Sequence, residues 1–204
     1  HFPEKQIVRL PTAPTIQTEF GTIVHAMFEE IVNRMAADGE AAIETIEAEY
    51  RQQISWLDFA PEDVHRYSER FERICHAFVP WLVEHVRGYR CITEANMQCL
   101  TAGGTPLFGF LDLLLVDDAA KTVQIVDYKT GFGKEVPAGY HRQLKFYKLL
   151  VEASPEFYGY TVTSMGDYYV EPDKTTGELR PPFATTANAV DIAELEQLID
   201  ATWA

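Results

Sequence analysis

The chain has 204 residues, of which 47% are apolar and 24% charged, an ordinary make-up for a globular protein large enough to bury one sizeable core. Its net charge of −14 excludes a protein that coats nucleic acid generally, whose footprint is basic. Its longest apolar run, residues 107–116, is interrupted by Asp112 and is too short to span a bilayer, so no membrane partner is expected.

Residues 1–17 read as irregular, because Pro3, Pro11 and Pro14 break any helix. Thr18 can cap a first helix in which Phe20, Ile23, Val24, Met27, Phe28, Ile31, Val32 and Met35 recur at helical spacing, and Gly39 closes it. A second helix is predicted at about 41–57. A third starts at Pro61 and runs toward Val86, with Pro80 expected to kink or divide it. Residues 29–72 hold twelve acids against four basic residues, a local −8.

The pattern then changes from helical spacing to strands. Residues 90–100 and 106–116 read as strands joined by the turn Ala102-Gly103-Gly104. A second turn at 117–121 leads into a strand at 122–129. A loop over 131–139 precedes a helix at about 139–153. Two further strands are expected at 158–164 and 167–170, and Asp191 caps a last helix carrying Ile192, Leu195, Leu198 and Ile199. With no internal repeat, residues 1–204 read as one domain: a mainly helical part at 1–89, a sheet with its hairpin and helix at 90–171, and a tail with a helix at 172–204. The fold class expected is α/β (α+β), a mixed central sheet with flanking helices.

Cys75, Cys91 and Cys99 form no CxxC pair. On one extended strand Cys91 and Cys99 would stand roughly 26 Å apart at about 3.3 Å per residue. Packed, reduced thiols in a cytoplasmic protein are the expectation.

The turn centred between Ala119 and Ala120 carries a geometric consequence. If the hairpin is symmetric about that point, Asp112 lies opposite Asp127, with Cβ atoms roughly 5 Å apart. Like charges so placed raise one another's pKa unless a cation intervenes. Lys129 follows Asp127 by two residues and shares its face of the strand. One reading is a buried salt bridge from Lys129 to the aspartates. The other is a site for a hard divalent cation, Mg²⁺ or Mn²⁺, which would neutralise the pair, polarise a phosphoryl oxygen and lower the pKa of a bound water. Lys129 would then orient that water or offset charge in the transition state. Residues 121–150 carry a local +4, weak support for a polyanionic substrate.

Gly109 to Asp112, followed by Asp127-Tyr128-Lys129-Thr130-Gly131, resembles the G-x-x-D and D-Y-K-T-G motifs of PD-(D/E)XK nucleases, specifically the RecB-like branch. Gly21-Thr22-Ile23-Val24-His25 resembles that branch's G-x-x-x-H helix, and Gln143-Leu144 with Tyr147 its Q-L-x-x-Y helix. The resemblance implies a restriction-endonuclease-like core and a Mg²⁺/Mn²⁺-dependent deoxyribonuclease. Asp112, Asp127 and Lys129 would be catalytic, with His25, Asp112, Asp127 and the Tyr128 carbonyl as metal ligands. Gln143, Tyr147 and Glu94 would bind substrate or support the site.

The resemblance also implies DNA as partner and a helicase–nuclease setting in repair or end processing, which an excised C-terminal domain opening on His1 would suit. An inactive fold used for DNA or partner binding is the alternative. Some relatives hold an iron–sulfur cluster; no Cys follows Cys99, so none is expected here. No G-x-x-x-x-G-K-[ST] is present, so the chain cannot power unwinding alone.

Overall fold

The structure, a computed structural model, describes residues 14–131, 138–185 and 187–203. Most of the irregular segment expected at the start, and most of the loop expected at 131–139, lie outside the described residues.

Helix α1 spans Ile16–Asp38. Its cap is Thr15 rather than Thr18: the Thr15 hydroxyl accepts from the Thr18 N–H, and Thr18 Oγ1 accepts in return from the Thr15 N–H. Threonine three residues inside the helix closes the same reciprocal box that glutamate usually does, which moves the start back by one turn. Gly39 ends the helix in the left-handed region at φ 78°, a conformation that glycine adopts without penalty. Helix α2 covers Ile43–Ser55, within the range expected, and buries Ile46, Tyr50 and Ile54 at intervals of four.

Helix α3 runs undivided from Pro61 to His85, straight through Pro80. Proline leaves the carbonyl four residues earlier, that of His76, without its helical donor. Both residues lie on the exposed face, where water can satisfy that carbonyl.

Strands β1 (Arg90–Leu100), β2 (Pro106–Asp117) and β3 (Thr122–Lys129) form an antiparallel meander. Helix α4 (Ala138–Ala153) then crosses over to β4 (Thr161–Tyr169), which lies parallel to β3, as a crossover connection requires. The two strands expected at 158–164 and 167–170 are therefore one. Pro155–Phe157 instead form a short 3₁₀ turn, and Gly166 stays within β4, where its missing side chain admits the backbone of the next strand: a Cβ there would come within 3.3 Å of the Phe183 carbonyl. That next strand is β5 (Phe183–Thr185), three residues that carry no apolar alternation long enough to read from sequence.

The last helix, α5 (Ala189–Trp203), is capped by Asn188 and not by Asp191. Asn188 Oδ1 accepts from the Asp191 N–H, and the Asp191 carboxylate accepts from the Asn188 N–H. The acid sits three residues inside the helix as the second half of the box.

The five strands run in the order β1-β2-β3-β4-β5, giving the mixed sheet with flanking helices and helical N-terminal part that the sequence predicts. One core lies between α1–α3 and the sheet, where Phe20, Met27, Phe28, Phe71 and Phe78 meet Leu113, Leu115, Val126 and Tyr128. The other lies under α4, where Leu144, Leu150 and Val151 meet Met97, Leu111, Leu114 and Ile125. Gly109 belongs to this second core. A Cβ there would come within 2.7 Å of Leu150 Cδ1, so glycine lets α4 approach β2. No described helix is long and apolar enough to cross a membrane.

Candidate metal centre and catalytic cleft

The β2–β3 ladder pairs Leu113 with Val126, Leu114 with Ile125 and Val116 with Val123, so it is symmetric about the expected point between Ala119 and Ala120. Regular pairing stops one rung short of Asp112 and Asp127. There the Asp112 carboxylate takes the place of a backbone acceptor: its Oδ2 accepts from the Tyr128 N–H at 2.7 Å. The Tyr128 ring points the other way into the core, edge-on to Phe28 at 4.9 Å and to His25 at 5.6 Å, as strand alternation from Asp127 requires.

Asp112 interrupts the alternation of its own strand. Leu113 and Leu115 face the α1–α3 core and Leu114 faces α4, yet Leu111 also faces α4. The same reversal occurs on β1 between Thr93, which bonds Asn33 of α1, and Ala95, which packs under α4. It is accommodated by Glu94 at φ 45°, a left-handed conformation costly for a residue with a side chain.

Three ligand atoms converge at this irregularity. His25, Glu94 and Asp112 each offer one, and all lie within 4.8 Å of one another. His25 comes from the middle of α1, and its Nδ1 is 3.4 Å from Asp112 Oδ1. Burial pulls the His25 pKa down, but the hydrogen bond and charge of Asp112, with Asp127 and Glu94, outweigh it and leave the imidazole above its ordinary value. Glu94 is also raised, by burial and by the negative charge of Asp112. A site where His25 and Glu94 both favour the proton is one that a cation can occupy instead. One imidazole nitrogen with hard carboxylate oxygens suits Mn²⁺ and Mg²⁺.

Asp127 lies beside this trio in a separate, more buried group. Lys129 Nζ contacts Asp127 Oδ2 and lies 3.6 Å from Asp167 Oδ1. The two aspartates are 4% and 0% exposed, and the parallel register sets them on the same rung of β3 and β4. Burial, then the charge of Asp112, raise the Asp127 carboxyl, and burial pushes Asp167 up to about 6. Lys129 is the ionic partner of Asp127 Oδ2, while neither Asp167 oxygen has a hydrogen-bond partner among the described residues, so buried acceptor capacity remains for a cation to serve.

From Lys129 a polar chain leads to α4. Its Nζ donates to Gln143 Oε1 at 3.4 Å, and Gln143 Nε2 donates to the Tyr147 hydroxyl at 2.7 Å. Burial and the nearby Asp127 push the Tyr147 phenol up to about 12, so it stays protonated.

All the residues singled out in the sequence therefore gather at one end of the sheet: His25, Glu94 and Asp112 as one cluster, and Asp127, Lys129, Gln143 and Tyr147 as the other, with Tyr128 between. Of the basic side chains on α4, Arg142 is exposed, whereas two are already engaged. Lys145 is paired with Asp191 and Lys148 with Glu152.

Sequence reasoning missed Asp167. Its signal was an aspartate inside a strand, a residue type that strands tolerate poorly, but the break assumed at residues 165–166 concealed it. Arg70 was missed too. From α3 it donates to the Thr130 carbonyl at 2.6 Å and to Glu171 at 2.5 Å, fastening the ends of β3 and β4, and no local pattern announces such a contact.

A cleft of about 810 Å³ opens over the first cluster, walled by α1 through Gln17, Thr22 and Glu29 and by Thr130. Gly21 lies at its base, where a Cβ would approach Thr130 Oγ1 to 3.3 Å. The sequence model of the PD-(D/E)XK nuclease superfamily matches residues 2–204, nearly the whole chain. No curated protein matches it.

Proposed function

We propose that this chain, which belongs to the PD-(D/E)XK nuclease superfamily, is a Mg²⁺- or Mn²⁺-dependent deoxyribonuclease that hydrolyses phosphodiester bonds at the His25/Glu94/Asp112 cleft. The observation that carries the reading is the convergence of those three ligand atoms within 4.8 Å, at a strained strand position beside the Asp127–Lys129 pair. The mixed sheet with its flanking helices is consistent with the superfamily's restriction-endonuclease-like core.

In this reading His25, Glu94 and Asp112 would hold the cation, and Asp127 and the Tyr128 carbonyl are the further ligands that the resemblance implies. When bound, such a cation lowers the pKa of a coordinated water and polarises a phosphoryl oxygen. The chain's own residues do the rest. Lys129 directs its ammonium into the site, where it orients the attacking water and offsets negative charge that builds on the phosphoryl oxygens. Gln143 holds that ammonium in place from α4 and is itself fixed by the buried Tyr147 hydroxyl. The water oxygen forms the new bond to phosphorus as the phosphorus–ester oxygen bond breaks; the water gives up a proton to solvent, and the departing oxygen takes one from solvent to leave as a hydroxyl.

The D-Y-K-T-G and Q-L-x-x-Y segments favour work within a helicase–nuclease system for DNA-end processing or repair. A second reading draws on the Lys129–Asp127 contact, which is also what a structural ion pair looks like: a nuclease fold without activity that binds DNA or a partner. Cleavage assays on single-stranded DNA, duplex DNA and RNA with Mn²⁺, beside Asp127→Ala, decide between them. The first reading expects metal-dependent DNA cleavage that the variant loses. An intact, metal-loaded chain that cuts none of the three supports the second.

A further inference from the structure

A second cavity, of about 420 Å³, is lined by Arg66, Arg70, Arg73 and Lys174, with Glu69 as the acid in its wall. On a chain of net charge −14 such a concentration of cations is unexpected. Arg66, Arg70 and Arg73 are spaced by four and three residues on α3 and so share one face of the helix. Lys174 comes from the turn that follows β4.

Two of its guanidinium groups are anchored to one buried acid. Glu171, 2% exposed, binds Arg70 through Nε at 2.5 Å and lies 3.9 Å from Arg73. Arg70 is further fixed between the Tyr67 and Phe20 rings, at 4.4 and 4.9 Å from their centroids. Arg70 is thus committed to structure, while Arg73 is oriented by Glu171 and keeps its side chain 34% exposed. Arg66 is 61% exposed and held by Asp63, a local pair at the surface that a phosphate can displace.

The position of the cavity matters as much as its charge. The Arg70–Thr130 hydrogen bond separates it from the catalytic cleft, because Thr130 also lines that cleft. The cleft itself presents Glu29, Glu94 and Asp112, which repel a polyanion wherever no cation intervenes. A strand seated there needs its neighbouring phosphates held by positive charge nearby, and guanidinium groups grip phosphate through paired N–H donors.

We propose that the Arg66/Arg73/Lys174 cavity binds a backbone phosphate of the substrate strand next to the bond presented to the cleft. The proposal rests on the nuclease reading for the identity of the strand, and its test is arranged so that either can fail alone.

The measurement is fluorescence anisotropy of a labelled single-stranded oligonucleotide in EDTA, over a series of salt concentrations. Arg66→Gln/Lys174→Gln is compared with Arg34→Gln/Arg87→Gln, which removes the same charge from exposed positions elsewhere on the surface. The first variant is expected to bind about tenfold more weakly, with the salt slope reduced by about 0.7 for each phosphate that is no longer neutralised. The control should bind as the parent does. Arg73→Gln should weaken binding in the same sense, and in metal-dependent cleavage these variants should raise KM while keeping kcat.

Equal affinity and salt slope in Arg66→Gln/Lys174→Gln and the control would overturn the proposal, as would loss of inorganic phosphate binding with oligonucleotide binding unchanged. The latter assigns the cavity to a free phosphate. If the parent chain binds the oligonucleotide through this cavity yet never cleaves it, the nuclease reading fails and the cavity stands.

Discussion

Glu94 and Asp112 face each other across β1 and β2 at the one rung missing from an otherwise continuous ladder, between Thr93–Leu113 and Ala95–Leu111. On both strands the inside–outside alternation reverses there. Giving up that rung turns both carboxylates toward His25, and the left-handed backbone at Glu94 is its cost, of order 1–3 kcal/mol. Strain placed at an acidic cluster is the mark of a position kept for its ligand.

Glu94→Gln should therefore weaken Mn²⁺ binding by about 10- to 100-fold, the scale seen when groups that shape a metal site are removed. The backbone does not depend on the carboxylate, so the melting temperature of the metal-free protein should change little. Calorimetric titration of the variant checks this, and unchanged Mn²⁺ affinity would remove Glu94 from the ligand set.

Asp127→Ala and Lys129→Ala should each reduce metal-dependent DNA cleavage by at least about 10²- to 10³-fold, the scale for removing one preorganised electrostatic group. Circular dichroism should show both still folded. Because Lys129 touches Asp127 and Asp167, the double variant should lose little beyond the single ones.

If the cluster holds a metal, protons should compete with it, because His25 would bind metal as the neutral imidazole and its pKa is raised above the ordinary 6.5. Mn²⁺ affinity should then be low at acid pH and climb as pH rises through that raised value, in contrast to the flat profile expected of a His25→Gln variant. Titrations across the neutral range read this directly.

Asp167 gives a stability prediction with the opposite look. Burial raises its carboxyl from 3.8 to about 6. The folded state thus holds the proton more tightly than the unfolded, so this group's contribution is complete below pH 3.8 and is lost as pH rises through about 6. Asp167→Asn, denatured with urea in EDTA, should lose less stability than the parent across that window and be the more stable of the two above it.

Arg70→Met should destabilise the fold by about 3–5 kcal/mol, since Glu171 would be left buried with its closest partner gone. Arg70→Met/Glu171→Met should recover most of that loss. Urea midpoints of the two variants provide the comparison.

Much of the site could be read from the chain because its parts are local. The short turn at residues 117–121 fixes the hairpin register, and strand alternation then orders Asp127, Tyr128 and Lys129 on alternate faces. His25 and the Gln143/Tyr147 pair entered through resemblance rather than spacing. What sequence could not supply depends on partners far along the chain. Glu94 reads as any surface glutamate until the reversal opposite Asp112 is seen. Asp167 needed the parallel register of β3 and β4, and β5 is three residues long. The basic cavity takes Arg66 and Arg70 from a segment whose net charge is −8, because the α3 face that they share with Arg73 leaves Glu72 out of the cavity and admits only Glu69.

The central claim is that His25, Glu94 and Asp112 form a divalent-cation site. An anomalous difference map from crystals soaked in Mn²⁺ tests it most directly. A peak within coordination distance of all three side chains, next to Asp127, is the expected result. Crystals that bind Mn²⁺ elsewhere, or show no peak in the cleft at neutral pH, would contradict it.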